Sequence, residues 1–132
     1  MDRRTTFKLG GEARFLLEPT SEVELETALD WVRSRDLPLF VMGRGSNLVV
    51  SDAGWPGAIV CLGASFTGAE WTGSGATARA GTRLTEFVTQ AVGRGLAGLE
   101  KLAGIPGTVG GAVFINAGAY GQEFGDRVVR VK

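Results

Sequence analysis

Two segments of the chain carry apolar residues at helical spacing. In residues 21–35 the apolar positions fall on one face of a helix, and Ser21 followed by Glu24 matches the capping box that begins many helices. That face consists of Leu25, Ala28, Leu29 and Val32. The pattern recurs after Gly81-Thr82, with Gly93 and Gly95 placed to end the helix. The second face consists of Leu84, Phe87, Val88, Ala91 and Val92.

Apolar runs on either side of the first helix predict strands. Residues 13–17 precede this helix, and residues 39–42 follow it directly after Pro38. The second run has no polar alternation, which is typical of a strand buried on both faces. A strand, a helix and another strand with short connections predict a β-α-β unit with parallel strands. Further strand-like runs lie at 48–50, 58–62, 76–80 and 128–131.

Composition excludes several classes of protein. The chain has 132 residues with 44% hydrophobic and 21% charged positions, which are the proportions of a globular domain. Its net charge is zero, whereas a nucleic-acid-binding groove usually leaves a basic surplus. It has no histidine and a single cysteine, so we expect no metal site and no internal disulfide, with Cys61 a buried apolar residue.

No segment approaches the roughly 20 apolar residues that span a bilayer, and no secretory signal is present at the N-terminus. The sequence therefore predicts a cytoplasmic protein with no membrane or nucleic-acid partner and no obligate protein partner.

Glycine is the one residue in large excess. The chain has 21 glycines, where average usage of about 7% would give roughly nine. They concentrate at residues 43–45, 93–98 and 104–125. Clustered glycine in an otherwise ordinary chain indicates backbone that turns sharply or approaches a ligand closely.

The first glycine cluster lies in a loop, residues 43–47, directly after a predicted strand. Its amides, with the side chains of Ser46 and Asn47, could bind a pyrophosphate. The segment matches neither the dinucleotide-binding fingerprint nor the phosphate loop of nucleotide hydrolases. The alternative is a tight turn between strands with Asn47 in a left-handed conformation.

The later clusters also leave two interpretations open. If residues 108–115 form a helix capped by Thr108, its N-terminus is a candidate anion site. The alternative is that Gly110 and Gly111 allow close packing against a neighbouring element. Tyr120, the only tyrosine, could present its ring to a planar ligand or simply lie in a surface loop.

Four segments, each weak alone, follow one another along the chain: Thr6-Phe7 with Gly10-Gly11, Gly43-x-Gly45-Ser46-Asn47, Gly98-Leu99-Glu100 through Gly104-Ile105-Pro106-Gly107-x-Val109-Gly110-Gly111, and Asn116-x-Gly118-Ala119-Tyr120-Gly121. In this order and spacing they resemble the UDP-N-acetylenolpyruvoylglucosamine reductase family over essentially the whole chain. It implies an α+β fold, an FAD-binding domain of the vanillyl-alcohol-oxidase type. Its subdomains are expected at residues 1–62 and 63–132, the second incomplete.

The resemblance also implies roles for individual residues. The loop after the buried strand would bind the pyrophosphate of FAD: Gly43, Arg44, Gly45, Ser46, Asn47 and Leu48. The next segment would line the cofactor: Ile105, Pro106, Gly107, Val109, Gly110 and Gly111. The last segment would lie near the flavin: Asn116, Gly118, Ala119, Tyr120 and Gly121.

The family reduces the enolpyruvyl group of a UDP-sugar with NADPH, in the synthesis of peptidoglycan precursors. The chain departs from the family because it ends before the motif with the catalytic serine and before the substrate-binding domain. We therefore expect a fragment with FAD-binding elements and catalytic residues that lie beyond residue 132. Two alternatives are another flavin oxidoreductase of the same fold and a non-catalytic nucleotide-binding fragment. The absence of histidine weakens the first alternative, since covalent-flavin oxidases often attach the cofactor through one.

Overall fold

The computed structural model describes residues 1–132, which form two compact units, Met1–Phe66 and Thr67–Lys132. The sequence places the boundary after residue 62, and the structure places it after the short 3-10 helix Ala64–Phe66. Phe66 is buried at the end of the first unit.

The first unit contains a three-stranded parallel sheet in the order β1-β3-β2, with β1 at Ala13–Leu17, β2 at Leu39–Met42 and β3 at Trp55–Cys61. Helix α1, Glu22–Arg33, connects β1 to β2, as the β-α-β pattern predicts. The central strand β3 is buried on both faces from Gly57 to Cys61.

Helix α1 begins where the capping pattern predicts. The Ser21 hydroxyl accepts a hydrogen bond from the Glu24 amide at 3.2 Å. The Glu24 carboxylate turns back to the amide and hydroxyl of Thr20, at 2.7 and 2.8 Å. These bonds hold the pKa of Glu24 below its usual value. The Trp31 ring meets Phe15 of β1 edge-to-face at 4.9 Å, which fixes the helix on the sheet.

The expectation that 39–42 is buried on both faces is wrong. Strand β2 lies at the edge of the sheet, and its residues Leu39 and Val41 are 40% and 56% exposed. The register puts them on the same face as the fully buried Ala58 and Val60. A continuous apolar run therefore does not by itself show that a strand is buried on both faces. In this sheet the strand buried on both faces is the neighbouring β3.

The second unit has two small antiparallel sheets around a helical core. Strands β4, Ala69–Trp71, and β5, Ala76–Ala78, pair with each other, as do β6, Gly118–Ala119, and β7, Gln122–Glu123. The helices are α2, Leu84–Gly93, α3, Val109–Phe114, and the 3-10 helices Glu100–Leu102 and Phe124–Arg127. The core contains Leu84, Phe87, Val88, Leu102, Val109, Ala112, Ala117 and Phe124.

Three local expectations fail. Val92 lies beyond the buried face of α2 and is 46% exposed. Residues 48–50 are irregular. Residues 128–131 pair with no strand, and Val129 is fully exposed. No helix of the chain is long and apolar enough to cross a membrane.

Candidate functional site

The loop of residues 43–47 begins at the carboxyl edge of the first unit's sheet. Because the three strands are parallel, Leu17, Met42 and Cys61 end at the same edge. In open sheets of this kind, ligands bind outside the carboxyl ends of the strands. The position of the loop is therefore typical of a binding site.

Gly45 determines the path of this loop. Its φ of +63° lies in the left-handed region, and a Cβ there would overlap the carbonyl oxygen of Arg4. The carbonyl of Gly45 accepts a hydrogen bond from the Thr6 amide at 3.0 Å. The left-handed residue of the turn is thus Gly45, and the expectation that Asn47 takes this conformation is wrong.

The loop presents hydrogen-bond donors and no carboxylate. The backbone amides of Arg44, Gly45 and Asn47 donate to no backbone carbonyl of this unit. Gly43, Arg44 and Asn47 are exposed, while Ser46 and Leu48 are half-buried. Free amides, an arginine guanidinium and a side-chain amide are the groups that bind phosphate oxygens in proteins.

Two charged residues pair next to this edge. The Arg4 guanidinium donates two hydrogen bonds to the Glu18 carboxylate, at 2.7 and 2.8 Å. These bonds and the charge of Glu18 raise the pKa of Arg4. Cys61 is buried at the end of β3, and burial raises the pKa of its thiol. The thiol therefore stays protonated near neutral pH and acts as an apolar residue.

The N-terminus of α3 is occupied by the protein itself. The amides of Val109 and Gly110 donate to the carbonyls of Thr82 and Ala80, both at 2.8 Å. The Gly111 amide donates to the Thr108 hydroxyl at 3.2 Å. The cap at Thr108 is confirmed. The amides at this terminus are paired within the protein, which favours close packing over the candidate anion site.

Close packing explains one glycine of this segment. A Cβ on Gly110 would lie 2.8 Å from the Cβ of Ala80. Val109 is buried in the core, and Gly110 and Gly111 are half-buried. Just before the helix, Ile105 and Gly107 are half-buried and Pro106 is exposed.

The last predicted segment forms the β6–β7 hairpin. Tyr120 and Gly121 are its two turn residues, with φ of +53° and +75°, as a type I′ turn requires. The Tyr120 side chain is 85% exposed. Gly118 and Ala119 form β6 and present no polar side chain.

Asn116 has a structural role that its motif did not reveal. Its side-chain amide donates to the Glu123 carboxylate at 2.6 Å, and its oxygen accepts from the Gly125 amide at 2.9 Å. Sequence reasoning also missed Lys101 and Gln122, which contact each other across 21 positions of the chain. Folding brings Lys101 and Gln122 together, so no local sequence motif indicates their hydrogen bond.

Comparison with known proteins places these features in a family. Residues 13–132 match the family described as the FAD binding domain. The UDP-N-acetylenolpyruvoylglucosamine reductase of Rubrobacter xylanophilus is 46% identical over 121 residues, which are 92% of this chain and 41% of that protein. The reductase of the same name from Bacillus subtilis is 40% identical over 126 residues, 96% of this chain and 42% of that protein.

A solved structure agrees with the sequence relatives. The crystal structure of UDP-N-acetylenolpyruvylglucosamine reductase from Thermus caldophilus superposes with a TM-score of 0.74 at 38% identity, covering 92% of this chain and 42% of that one. The chain thus spans about two fifths of the length of the proteins it matches. The α+β fold is that of this family, and its cofactor is FAD. The chain is therefore similar to part of the UDP-N-acetylenolpyruvoylglucosamine reductases, and it belongs to the FAD binding domain family.

Proposed function

We propose that this chain supplies the FAD-binding part of a cytoplasmic reductase of peptidoglycan precursor synthesis. The enzyme reduces UDP-N-acetylglucosamine enolpyruvate to UDP-N-acetylmuramate with NADPH. Relatives that bear this reductase name match 92% or more of the chain, which supports the activity. NADPH and the UDP-sugar are the proposed partners, with no nucleic-acid, membrane or obligate protein partner.

The observation that carries the proposal is the donor set of residues 43–47. The diphosphate of FAD carries two negative charges, and unpaired amides of Arg44, Gly45 and Asn47 lie in one short loop with no competing carboxylate. Ser46 adds a hydroxyl and Arg44 a permanent positive charge. These residues fit the charged part of FAD, and we propose that they bind it, with Leu48 contributing apolar contact.

We propose that the later glycine-rich segments also contact FAD. The amides of Val109, Gly110 and Gly111 already donate hydrogen bonds within the protein. This segment would therefore contact FAD through van der Waals packing and not through these amides. Residues 105–111 include three glycines, and their lack of side chains would allow a cofactor to lie close to the backbone. We place Gly118, Ala119, Tyr120 and Gly121 near the flavin, because the exposed Tyr120 ring is available for a planar ligand, with Asn116 shaping the hairpin from within.

Bound FAD supplies the hydride-transfer chemistry that amino-acid side chains lack. The residues of this chain bind and orient the cofactor. The buried Cys61 thiol, with its raised pKa, keeps its proton, so we assign it no role in the reaction. We propose that the proton donor and the groups that bind the sugar belong to the part of the relatives that this chain does not match, so the 132 residues alone are inactive.

Titration of the purified chain with FAD, followed by flavin fluorescence, tests the binding site. Arg44→Ala removes a charged hydrogen-bond donor worth roughly 1.5 kcal/mol, so the Kd rises about tenfold. Arg130→Ala is the matched control, because it removes the same charge from an exposed residue outside every proposed site. Equal affinity of wild type, Arg44→Ala and Asn47→Ala would exclude this loop as the diphosphate site.

The reaction itself is tested in a protein that extends this chain to the length of its relatives. NADPH should bleach its flavin absorbance, and UDP-N-acetylglucosamine enolpyruvate should restore it without oxygen. Bleaching without restoration by the UDP-sugar would favour another flavin oxidoreductase of the same fold.

A further inference from the structure

The β6–β7 hairpin needs support from outside its own strands. Each strand has two residues, and an isolated two-stranded hairpin is marginally stable in water. Tyr120 also occupies the left-handed region at φ +53°, which is unfavourable for a residue with a side chain. Contacts beyond the hairpin must therefore hold the turn in place.

Gln122 provides the most direct of these contacts. Its side-chain nitrogen donates to the Gly98 carbonyl at 2.7 Å, and its side-chain oxygen accepts from the Lys101 amide at 3.2 Å. Both ends of one side chain are thus bound to the backbone of a single segment, residues 98–101. This pairing ties β7 to the 3-10 helix Glu100–Leu102, whose Leu102 is fully buried in the core.

Lys101 completes the connection at the tip. Its ammonium group donates to the carbonyl oxygen of Tyr120 at 3.1 Å. The bond reaches the strained residue itself and leaves the Tyr120 ring, 85% exposed, free of packing. The segment anchored in the core therefore contacts the hairpin at its turn and at its second strand.

We propose that Gln122 and Lys101 are positioning residues that hold the Tyr120 ring in a fixed place against the flavin of bound FAD. This inference rests on the proposed function for the flavin contact, although the positioning itself is a property of the ligand-free chain. An aromatic ring fixed in advance binds a planar ligand without a further ordering cost.

The positioning is tested without ligand by NMR relaxation of the backbone amides. In wild type, the amides of Tyr120 and Gly121 should show order parameters of about 0.85. In Gln122→Met these order parameters should fall below about 0.6. Lys101→Met should lower the same values, whereas Lys101→Arg should preserve them because it keeps a donor. Gln90→Met, on the exposed face of α2, is the matched control and should change nothing. Unchanged order in Gln122→Met would overturn the positioning role.

The contact with the flavin is tested by fluorescence of the bound cofactor, since a tyrosine ring in contact with an excited flavin quenches it by electron transfer. Tyr120→Leu and Gln122→Met should brighten the bound flavin by the same factor, and the double variant should brighten it no further. Brightness is compared at saturating FAD, so that a change in FAD affinity does not enter the comparison.

The outcomes separate the two proposals. If wild type binds no FAD while the NMR result holds, the proposed function fails and the positioning of the turn stands. If FAD binds but Tyr120→Leu leaves its fluorescence unchanged, Tyr120 does not contact the flavin and the inference fails alone.

Discussion

Replacement of Gly45 by alanine is the sharpest structural test of the diphosphate loop. At φ +63° an alanine costs about 1 kcal/mol or more relative to glycine. Its Cβ would also overlap the Arg4 carbonyl oxygen and approach the Thr5 Cα to 3.0 Å. The first six residues must then shift, which breaks the hydrogen bond from Thr6 to Gly45 at a cost of about 1 kcal/mol. The free energy of unfolding should fall by about 2 kcal/mol or more.

Alanine variants at two further glycines separate the cost of the left-handed backbone from the cost of the close contact at Gly45. Gly95 has a φ of +75° and open space around its Cβ position, so Gly95→Ala should cost only the conformational term, about 1 kcal/mol. Gly73 has open space and no positive φ, so Gly73→Ala should change stability by less than about 0.5 kcal/mol. Urea denaturation followed by tryptophan fluorescence measures all three variants.

The three variants, ranked by their loss of unfolding free energy, test whether the loop lies close to Arg4. If Gly45→Ala costs no more than Gly95→Ala, the close approach of the loop to Arg4 is refuted. If Gly45→Ala folds with the expected loss, it should also bind FAD more weakly than Gly95→Ala, because the loop amides have moved.

Three other predictions concern the stability of the chain. Thr108→Ala removes the cap of α3, and urea denaturation should show a loss of about 1 kcal/mol. Leu102→Ala opens a cavity at a fully buried position and should cost about 2–5 kcal/mol, measured in the same way. The raised pKa of the folded Cys61 thiol makes protonation favour the folded state. Its stabilising contribution is therefore complete below the ordinary thiol pKa of about 8.5 and decreases as pH rises above that value. Cys61→Ala should abolish this part of the pH dependence, and an unchanged pH profile would contradict the assignment.

The sequence predicted those elements whose signals are local. Helix α1 follows from Ser21 and Glu24 with an apolar face, because a cap and a helical period act within a few residues. The cap of α3 at Thr108 follows for the same reason.

Features that depend on distant segments were not predictable in this way. The exposure of β2 depends on which strand occupies the centre of the sheet, and Leu39 carries no sign of that order. The amide of Gly110 donates to the carbonyl of Ala80, a distant residue, and the sequence left open whether this amide was free for an anion. Gln122 lies outside every recognised motif, and its contact with Gly98 spans 24 positions of the chain.

The central claim, that the glycine-rich loops bind FAD, is tested most directly by an absorbance spectrum. The purified chain is incubated with FAD, desalted, and scanned through the visible region alongside Arg44→Ala and Arg130→Ala. Our account predicts a retained flavin spectrum in wild type and in Arg130→Ala, and a reduced one in Arg44→Ala. A folded wild-type chain that retains no flavin would contradict it.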